Sequence, residues 1–223
     1  MILALDGPDG AGKSTQIGYL IDWARRRGLS VRAVSKWEIL QPEIVPLARF
    51  LSGTDRAELR VCIAEMPSPA RLMFLAWMNT VTAERASQAS EDLVVLDGYW
   101  IKHAASELLL GCDSGLVDAV TEAIAPVDLV VYVDVSPAEA LRRKGTDLTP
   151  YECGTDPTCD PRRFLSHQTG MRQLMLEWAH SRGWPVIAEG TATMMNRQLT
   201  ELILPMLALS ATDLALPATD GTS

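Results

Sequence analysis

The chain has 223 residues, 48% hydrophobic and 22% charged, proportions of an ordinary globular protein that exclude a disordered or fibrous whole. Such a length can bury roughly 70% of its unfolded surface, so one domain, expected over 1–209, needs neither disulfides nor a structural metal. With 20 Lys and Arg against 28 Asp and Glu, the formal charge of −8 disfavours a broad nucleic-acid or anionic-membrane surface and leaves room for a local basic cleft.

The first residues, Met1-Ile2-Leu3-Ala4-Leu5, lack a basic leader and are cut short by Asp6, so they read as a strand over 2–5 and not as a signal peptide. Further short apolar runs follow at 30–35, 93–96, 127–135 and 186–188. Their consecutive Val and Leu residues suit strands buried on both faces of a parallel sheet. Between them, 15–27, 71–88 and 162–182 carry apolar residues at helical spacing; in the second, Leu72, Leu75, Ala76, Met78 (or Asn79) and Val81 form one stripe. Alternating strands and helices predict an α/β sheet with its ligand site at the carboxyl ends of the strands.

Two segments depart from this pattern. Residues 144–161, with three prolines and two cysteines, predict a long loop of the kind that serves as a lid. The small, polar stretch 210–223 predicts a flexible tail. No apolar run reaches the about 18 residues of a membrane span. The cysteines Cys62, Cys112, Cys153 and Cys159 are expected as reduced thiols of a cytoplasmic protein. The five residues between Cys153 and Cys159 do not match zinc-knuckle spacing, so these two read as ordinary loop cysteines.

Gly7-Pro8-Asp9-Gly10-Ala11-Gly12-Lys13-Ser14-Thr15 fits G-x-x-x-x-G-K-[ST] directly after the first strand. Its glycines let several backbone N–H groups point into one concavity, and the following helix adds its N-terminal partial charge. Gly7, Asp9, Gly10, Ala11, Gly12, Lys13, Ser14 and Thr15 are therefore the expected cradle of a nucleoside triphosphate. Lys13 is expected on the β- and γ-phosphates and the Ser14 hydroxyl on Mg²⁺. Such a cradle works through backbone dipoles, one lysine and a metal, so the acidic balance does not count against it. Asp97 ends the apolar run 93–96. A carboxylate there can hold Mg²⁺, usually through water, or accept a nucleophile's proton; capping the next helix is the plainer alternative.

With these residues the chain resembles the thymidylate kinase family of P-loop nucleoside monophosphate kinases. The string from Asp6 to Thr15 is similar to that family's phosphate loop, with Asp6 where the family commonly has Glu. Residues 129–144 are similar to its fourth strand and the helix entering its lid, and the resemblance spans most of 1–208. It implies a P-loop kinase fold: a parallel five-stranded sheet flanked by helices, with a lid near 144–163. It also implies ATP with Mg²⁺ and a homodimer face on the helix at 71–88. Asp9 would sit near a sugar hydroxyl and the metal. Arg142, Arg143, Arg162 and Arg163 become candidates for lid arginines near the adenine or the transferring phosphate. Lys13, Asp97, Asp9, Arg142 and Arg163 form the expected catalytic set, with Ser14 and Asp97 at the metal. Solvated surface arginines are the plainer reading of each lid residue.

The departures cluster on the acceptor side. The family's Asp-Arg-Tyr, serine pair and later Tyr-Gln read here as Asp97-Gly98-Tyr99, then Lys102 and His103, then Ser106-Glu107. Ser35-Lys36-Trp37-Glu38 stands where the family has Arg-Glu-Pro-Gly, and Phe74-Leu75-Ala76-Trp77-Met78 where it has Phe-Ala-Ala-x-Arg. Two arginine forks are lost, and each charge-assisted phosphate contact is worth roughly 1.5–3 kcal/mol. Lys36, Lys102 and Arg71 could replace them in part, without the fork. Lys36, Trp37, Phe74, Tyr99, Lys102, His103 and Glu107 are the expected acceptor contacts. Trp37, Trp77, Trp100 and Tyr99 offer stacking surfaces or simply fill the core. His103 reads as a base, an acceptor contact or a structural residue, while Glu38 and Glu107 could read hydrogen-bond donors on the acceptor.

The expected activity is ATP- and Mg²⁺-dependent phosphoryl transfer to a nucleotide, nucleoside or related small acceptor held over Asp97, with the lost arginines favouring an acceptor other than dTMP. The alternatives are a kinase of a non-nucleotide metabolite or of a modified base in a polymer, and a non-catalytic nucleotide-binding module.

Overall fold

The computed structural model describes residues 1–213. Five strands form one wholly parallel sheet in the order β2-β3-β1-β4-β5: β1 Ile2–Asp6, β2 Val31–Ser35, β3 Leu93–Asp97, β4 Leu129–Val133 and β5 Val186–Ile187. Parallel neighbours require crossovers, and helices supply them on both faces. One face is covered by α1 (Lys13–Arg25) and α8 (Ala192–Asp213), whose Ile17, Leu20, Trp23, Leu199 and Ile203 pack on Leu3, Leu5, Val131 and Val133. The other is covered by α3 (Ser68–Ser87), α4 (Ile101–Leu109), α5 (Ser114–Glu122) and α7 (Pro161–Arg182) around Ala4, Val94, Leu96 and Tyr132. Both faces of the central strands are thus buried, which is why their sequences run apolar without alternation.

The register sets the site. Leu5 and Ser35 both pair with Asp97, so β1, β2 and β3 end together at one edge. The phosphate loop leaves β1 there, Lys36 leaves β2 and Asp97 ends β3. Strand β4 starts after Asp128, whose side-chain carboxylate accepts the Ile2 N–H at 2.6 Å while its own N–H donates to Ile2 O at 3.0 Å.

Three segments differ from the sequence expectation. A helix α2 (Arg56–Glu65), capped by Asp55 accepting from Ala57 and Glu58 N–H, lies in a stretch with no strong periodicity. It packs Leu59 and Ile63 on Leu75 and Met78 of α3. The helix α6 (Pro137–Lys144), capped by Ser136, leads into the expected lid loop, which is tighter than a free loop. A 3-10 turn at Tyr151–Cys153 buries Glu152 and Cys153, and Gln168 of α7 donates to Glu152 O at 2.9 Å. The expected tail at 210–223 begins as helix, since α8 continues to Asp213; 214–223 lie outside the described residues. Among the described residues no helix is long and apolar enough to cross a membrane.

Gly7 shows how closely the loop is seated. Its φ is +151° and a Cβ there would lie 2.3 Å from Val133 O, a backbone atom of the neighbouring strand. Gly7→Ala is expected to cost at least ~2 kcal/mol, because the strained φ and the clash have no cheap relief. Urea unfolding at neutral pH reads this as a lowered midpoint with an unchanged slope.

Candidate active site

Residues from the ends of β1, β2 and β3 line one cleft of about 500 Å³ together with α2, α4 and the lid. At its floor Gly10 and Gly12 take φ of +80° and +90°. Helix α1 starts at Gly12 with no side-chain cap, leaving its first N–H groups for a ligand. Gly10 also lets the loop pass under α6, since a Cβ there would lie 2.9 Å from Ala140 O. Asp6 ties the cradle in place. Its carboxylate accepts from Gly7 N–H at 2.7 Å and from Tyr99 and Ile101 N–H at 3.1 and 3.2 Å.

Lys13 Nζ donates to Gly7 O at 2.7 Å and Pro8 O at 2.8 Å, filling the position a phosphate oxygen would take over. Ser14 Oγ lies 3.5 Å from Asp97 Oδ2, a hydroxyl and a carboxylate side by side next to the cradle. This pair fits a Mg²⁺ site of oxygen ligands completed by water and phosphate. Asp9 is held by Lys102 at 2.9 and 3.0 Å. Burial alone would raise the Asp9 carboxyl, but Lys102 and Lys13 outweigh it and hold it below the usual carboxylate range.

The acceptor side is more cationic than its sequence motif suggests. Lys36 and Trp37 follow β2, and Arg56 and Arg60 of α2 stand over the Trp37 ring at 4.5 and 5.3 Å. Arg56 also feels the Asp97 carboxylate. It therefore brings a guanidinium from α2 into the cleft that Asp97 also lines, where Gly98 has none. Seven Lys and Arg side chains and five carboxylates line the cleft, so it is locally positive in a chain of charge −8.

Of the expected contacts, Lys36, Trp37, Tyr99, Lys102 and His103 line the cleft; Phe74 and Glu107 do not. Phe74 packs its ring 5.8 Å from Trp77 in the cluster between α2 and α3. Glu107 is fully buried and reads no acceptor: it takes Arg71 at 2.6 and 3.2 Å, Ser68 Oγ at 2.7 Å and Tyr151 OH at 3.2 Å. Glu38 is spent on a capping box with Ser35 and on an ion pair with Arg85, because the 3-10 turn after β2 directs it back along the chain. Trp77 packs with Phe50, and Trp100 packs with Trp178 and Trp184, so neither offers a stacking face in the cleft.

Residues with no counterpart in the sequence expectation complete the wall: Arg56, Arg60 and Tyr151. Tyr151 stood among prolines in a polar loop; a lone aromatic at such a place is the available signal. The lid arginines divide. Arg143 reaches over the cradle to Gly10 O at 3.2 Å, and Arg142 lines a groove beside Thr15, Gln16 and Gly190. Arg163 lies on the outer side of the lid with Cys153 and His167, away from the cleft, because its turn of α7 faces outward.

No family model matches the chain. Among curated proteins it is 30% identical over 207 residues to the "Putative thymidylate kinase" of Aeropyrum pernix, covering 90% of this chain and 91% of the relative. It is 25% identical over 209 residues to the "Probable thymidylate kinase" of Methanothermobacter thermautotrophicus, covering 92% and 95%. The "Probable thymidylate kinase" of Archaeoglobus fulgidus is 28% identical over 160 residues, 68% and 74% of the two chains. A likeness of 30% identity that covers nine-tenths of both chains makes this chain a member of the thymidylate kinase family, P-loop nucleotide kinases that transfer a phosphoryl group from ATP with Mg²⁺.

Proposed function

We propose that the acceptor is a nucleoside monophosphate, with thymidylate the first candidate, its phosphate lying against Lys36, Arg56 and Arg60. The carrying observation is that Arg56 and Arg60 line the cleft beside Lys36, and none of the three has a carboxylate within ion-pair distance among the described residues. Cations gathered this way repel one another, and an anionic ligand relieves that cost. The name these relatives share supplies the first base to try.

A phosphate acceptor simplifies the chemistry. Its second pKa is about 6, so near neutral pH it attacks as a dianion and requires no general base. One acceptor oxygen bonds to the γ-phosphorus as the bond to the β-bridging oxygen breaks, and ADP leaves. In this reading Asp97 and Ser14 hold Mg²⁺, which when bound neutralises charge on the donor phosphates. Lys13 exchanges its two loop carbonyls for phosphate oxygens. Arg143, on α6, adds charge above the cradle. Asp9 and Lys102 hold each other beside it, and the lid around Tyr151 and Glu152 keeps water out.

The test is ADP release from ATP and Mg²⁺ with single nucleoside monophosphates, matching nucleosides and inorganic phosphate. A monophosphate, dTMP first, is expected to stimulate turnover. Stimulation by nucleosides but by no monophosphate sinks the reading. Arg56→Met and Arg60→Met are each expected to raise the acceptor KM by ~10- to 100-fold with ATP affinity unchanged, the loss of one charge-assisted contact. An unchanged acceptor KM in both would move the phosphate elsewhere in the cleft.

A further inference from the structure

Beside the acceptor wall a short hydrogen-bonded chain runs from α3 through α4 to the residue after β2. Asn79 Nδ2 donates to Leu75 O at 2.8 Å and lies 3.0 Å from His103 Nδ1. His103 Nε2 in turn lies 2.7 Å from Lys36 Nζ. His103 and Asn79 are buried.

The chemistry of these atoms fixes the protons. An amide nitrogen has two hydrogens and accepts none. Turning the Asn79 amide over would set its oxygen against Leu75 O, so Nδ2 is the atom between Leu75 and His103. His103 Nδ1 therefore accepts and carries no hydrogen, which leaves the single hydrogen of the neutral ring on Nε2. That hydrogen faces Lys36 Nζ. An ammonium has no lone pair to receive it; an amine does.

We propose that Lys36 is a neutral amine in the free enzyme, accepting from His103 Nε2–H, and that binding of the acceptor phosphate adds one proton from solvent to make it the ammonium that holds the phosphate. His103 acts here as a positioning residue. It stores Lys36 uncharged and, once the ammonium forms, has its Nε2–H free as a second donor. The inference rests on the acceptor being a monophosphate.

The surroundings favour the amine. Lys36 is faced by Asp6, Asp9 and Lys13 from β1, the phosphate loop and α1, and by Lys102 and His103 from α4; Arg56 and Arg60 of α2 share its Trp37 neighbour. Asp9 is already paired to Lys102. Burial, with Lys102 next, lowers Lys36 to about 7, against the pull of Asp9 and Asp6. Burial, with Lys102 adding to it, keeps the His103 imidazole well below its ordinary value, so the ring stays neutral. An arriving dianion reverses the balance at Lys36. Because the bound state holds one more proton, acceptor affinity falls as pH rises through and above the free-state value, by up to ~10-fold per unit.

Two measurements decide it. Long-range ¹H–¹⁵N correlation on the labelled, ligand-free full chain reads the tautomer of His103, assigned by the loss of the other histidine signals in His167→Gln and His180→Gln. The Nε2–H tautomer is expected at pH 8; an Nδ1–H tautomer or an imidazolium overturns the proposal. Calorimetric titration with dTMP at pH 8, in two buffers of different ionisation heat, counts protons taken up. At that pH the nucleotide is already a dianion and contributes none. About one proton is expected in the wild type and close to none in Lys36→Arg, which stays charged throughout. Binding without uptake, or equal uptake in both proteins, overturns the proposal and leaves the monophosphate reading standing. If no monophosphate binds, uptake on binding falls together with the acceptor reading, and an Nε2–H tautomer then locates the error in the acceptor.

Discussion

Replacing Lys13 with Met is expected to lower kcat by roughly 100- to 1,000-fold or more while the protein stays folded. The ammonium is half-buried at the phosphate loop and donates to Gly7 O and Pro8 O. Burial lowers its pKa and Lys102 adds to this, while Asp9, Asp6 and Asp97 oppose. A charge held in this way, partly shielded from water, acts on developing phosphate charge more strongly than an exposed one. The fold is expected to survive because neither carboxylate closest to the loop depends on Lys13 for its hydrogen bonds. Asp9 keeps Lys102, and Asp6 keeps the N–H groups of Gly7, Tyr99 and Ile101. Steady-state ADP release and thermal unfolding of the same preparation separate the two effects. Full turnover in a folded Lys13→Met protein would remove the phosphate loop from the chemistry.

The contrast between donor and acceptor sides explains what could be read from the sequence. The phosphate loop is contiguous, and its work is done by backbone; once strand, glycines, Lys13 and Ser14 stand in order, their geometry has little freedom. Asp97 was legible for the same reason, as the last residue of an apolar strand at the sheet's ligand edge. The acceptor wall is assembled from four separate elements, and its chemistry depends on which side chains turn inward. Glu107 illustrates the difficulty. It is the right kind of residue at the expected place on α4, but it stands one layer behind the cleft and acts on Arg71 and Tyr151. Arginines missing at Gly98 and Met78 suggested a site that had lost its phosphate grip. Arg56 and Arg60 restore positive charge from α2, a helix whose weak periodicity left it unseen. The motif is degraded while the charge is kept, something only tertiary placement reveals. The same placement reconciles an acidic chain with polyanionic ligands, since its surplus carboxylates lie outside the cleft.

The largest effect on stability is expected at Glu107. Its carboxylate is fully buried and receives Arg71 Nε at 2.6 Å, Arg71 Nη2 at 3.2 Å, Ser68 Oγ at 2.7 Å and Tyr151 OH at 3.2 Å. Arg71, itself 4% exposed, otherwise donates to Ala64 O and Met66 O and stands over the Tyr151 ring at 5.7 Å, contacts that bring it no counter-charge. Glu107→Ala leaves that guanidinium buried without a counter-charge, and a broken buried pair costs ~3–5 kcal/mol. For a chain of this size that is a fall in Tm of roughly 10 °C. Arg71→Met in the Glu107→Ala background should recover part of the loss, because removing both charges avoids the orphaned cation. Tyr151→Phe takes away only the lid's hydrogen bond and is expected to cost ~1 kcal/mol. Burial, then the Glu107 carboxylate, pushes the Tyr151 phenol well above its ordinary value, so this donor persists across the working pH range. Urea unfolding of the three variants against the wild type tests the ordering. A Glu107→Ala midpoint within error of wild type would mean that the pair contributes nothing, and that the lid is held down by the packing of the 3-10 turn and by the Gln168 and Lys144 bonds to Glu152.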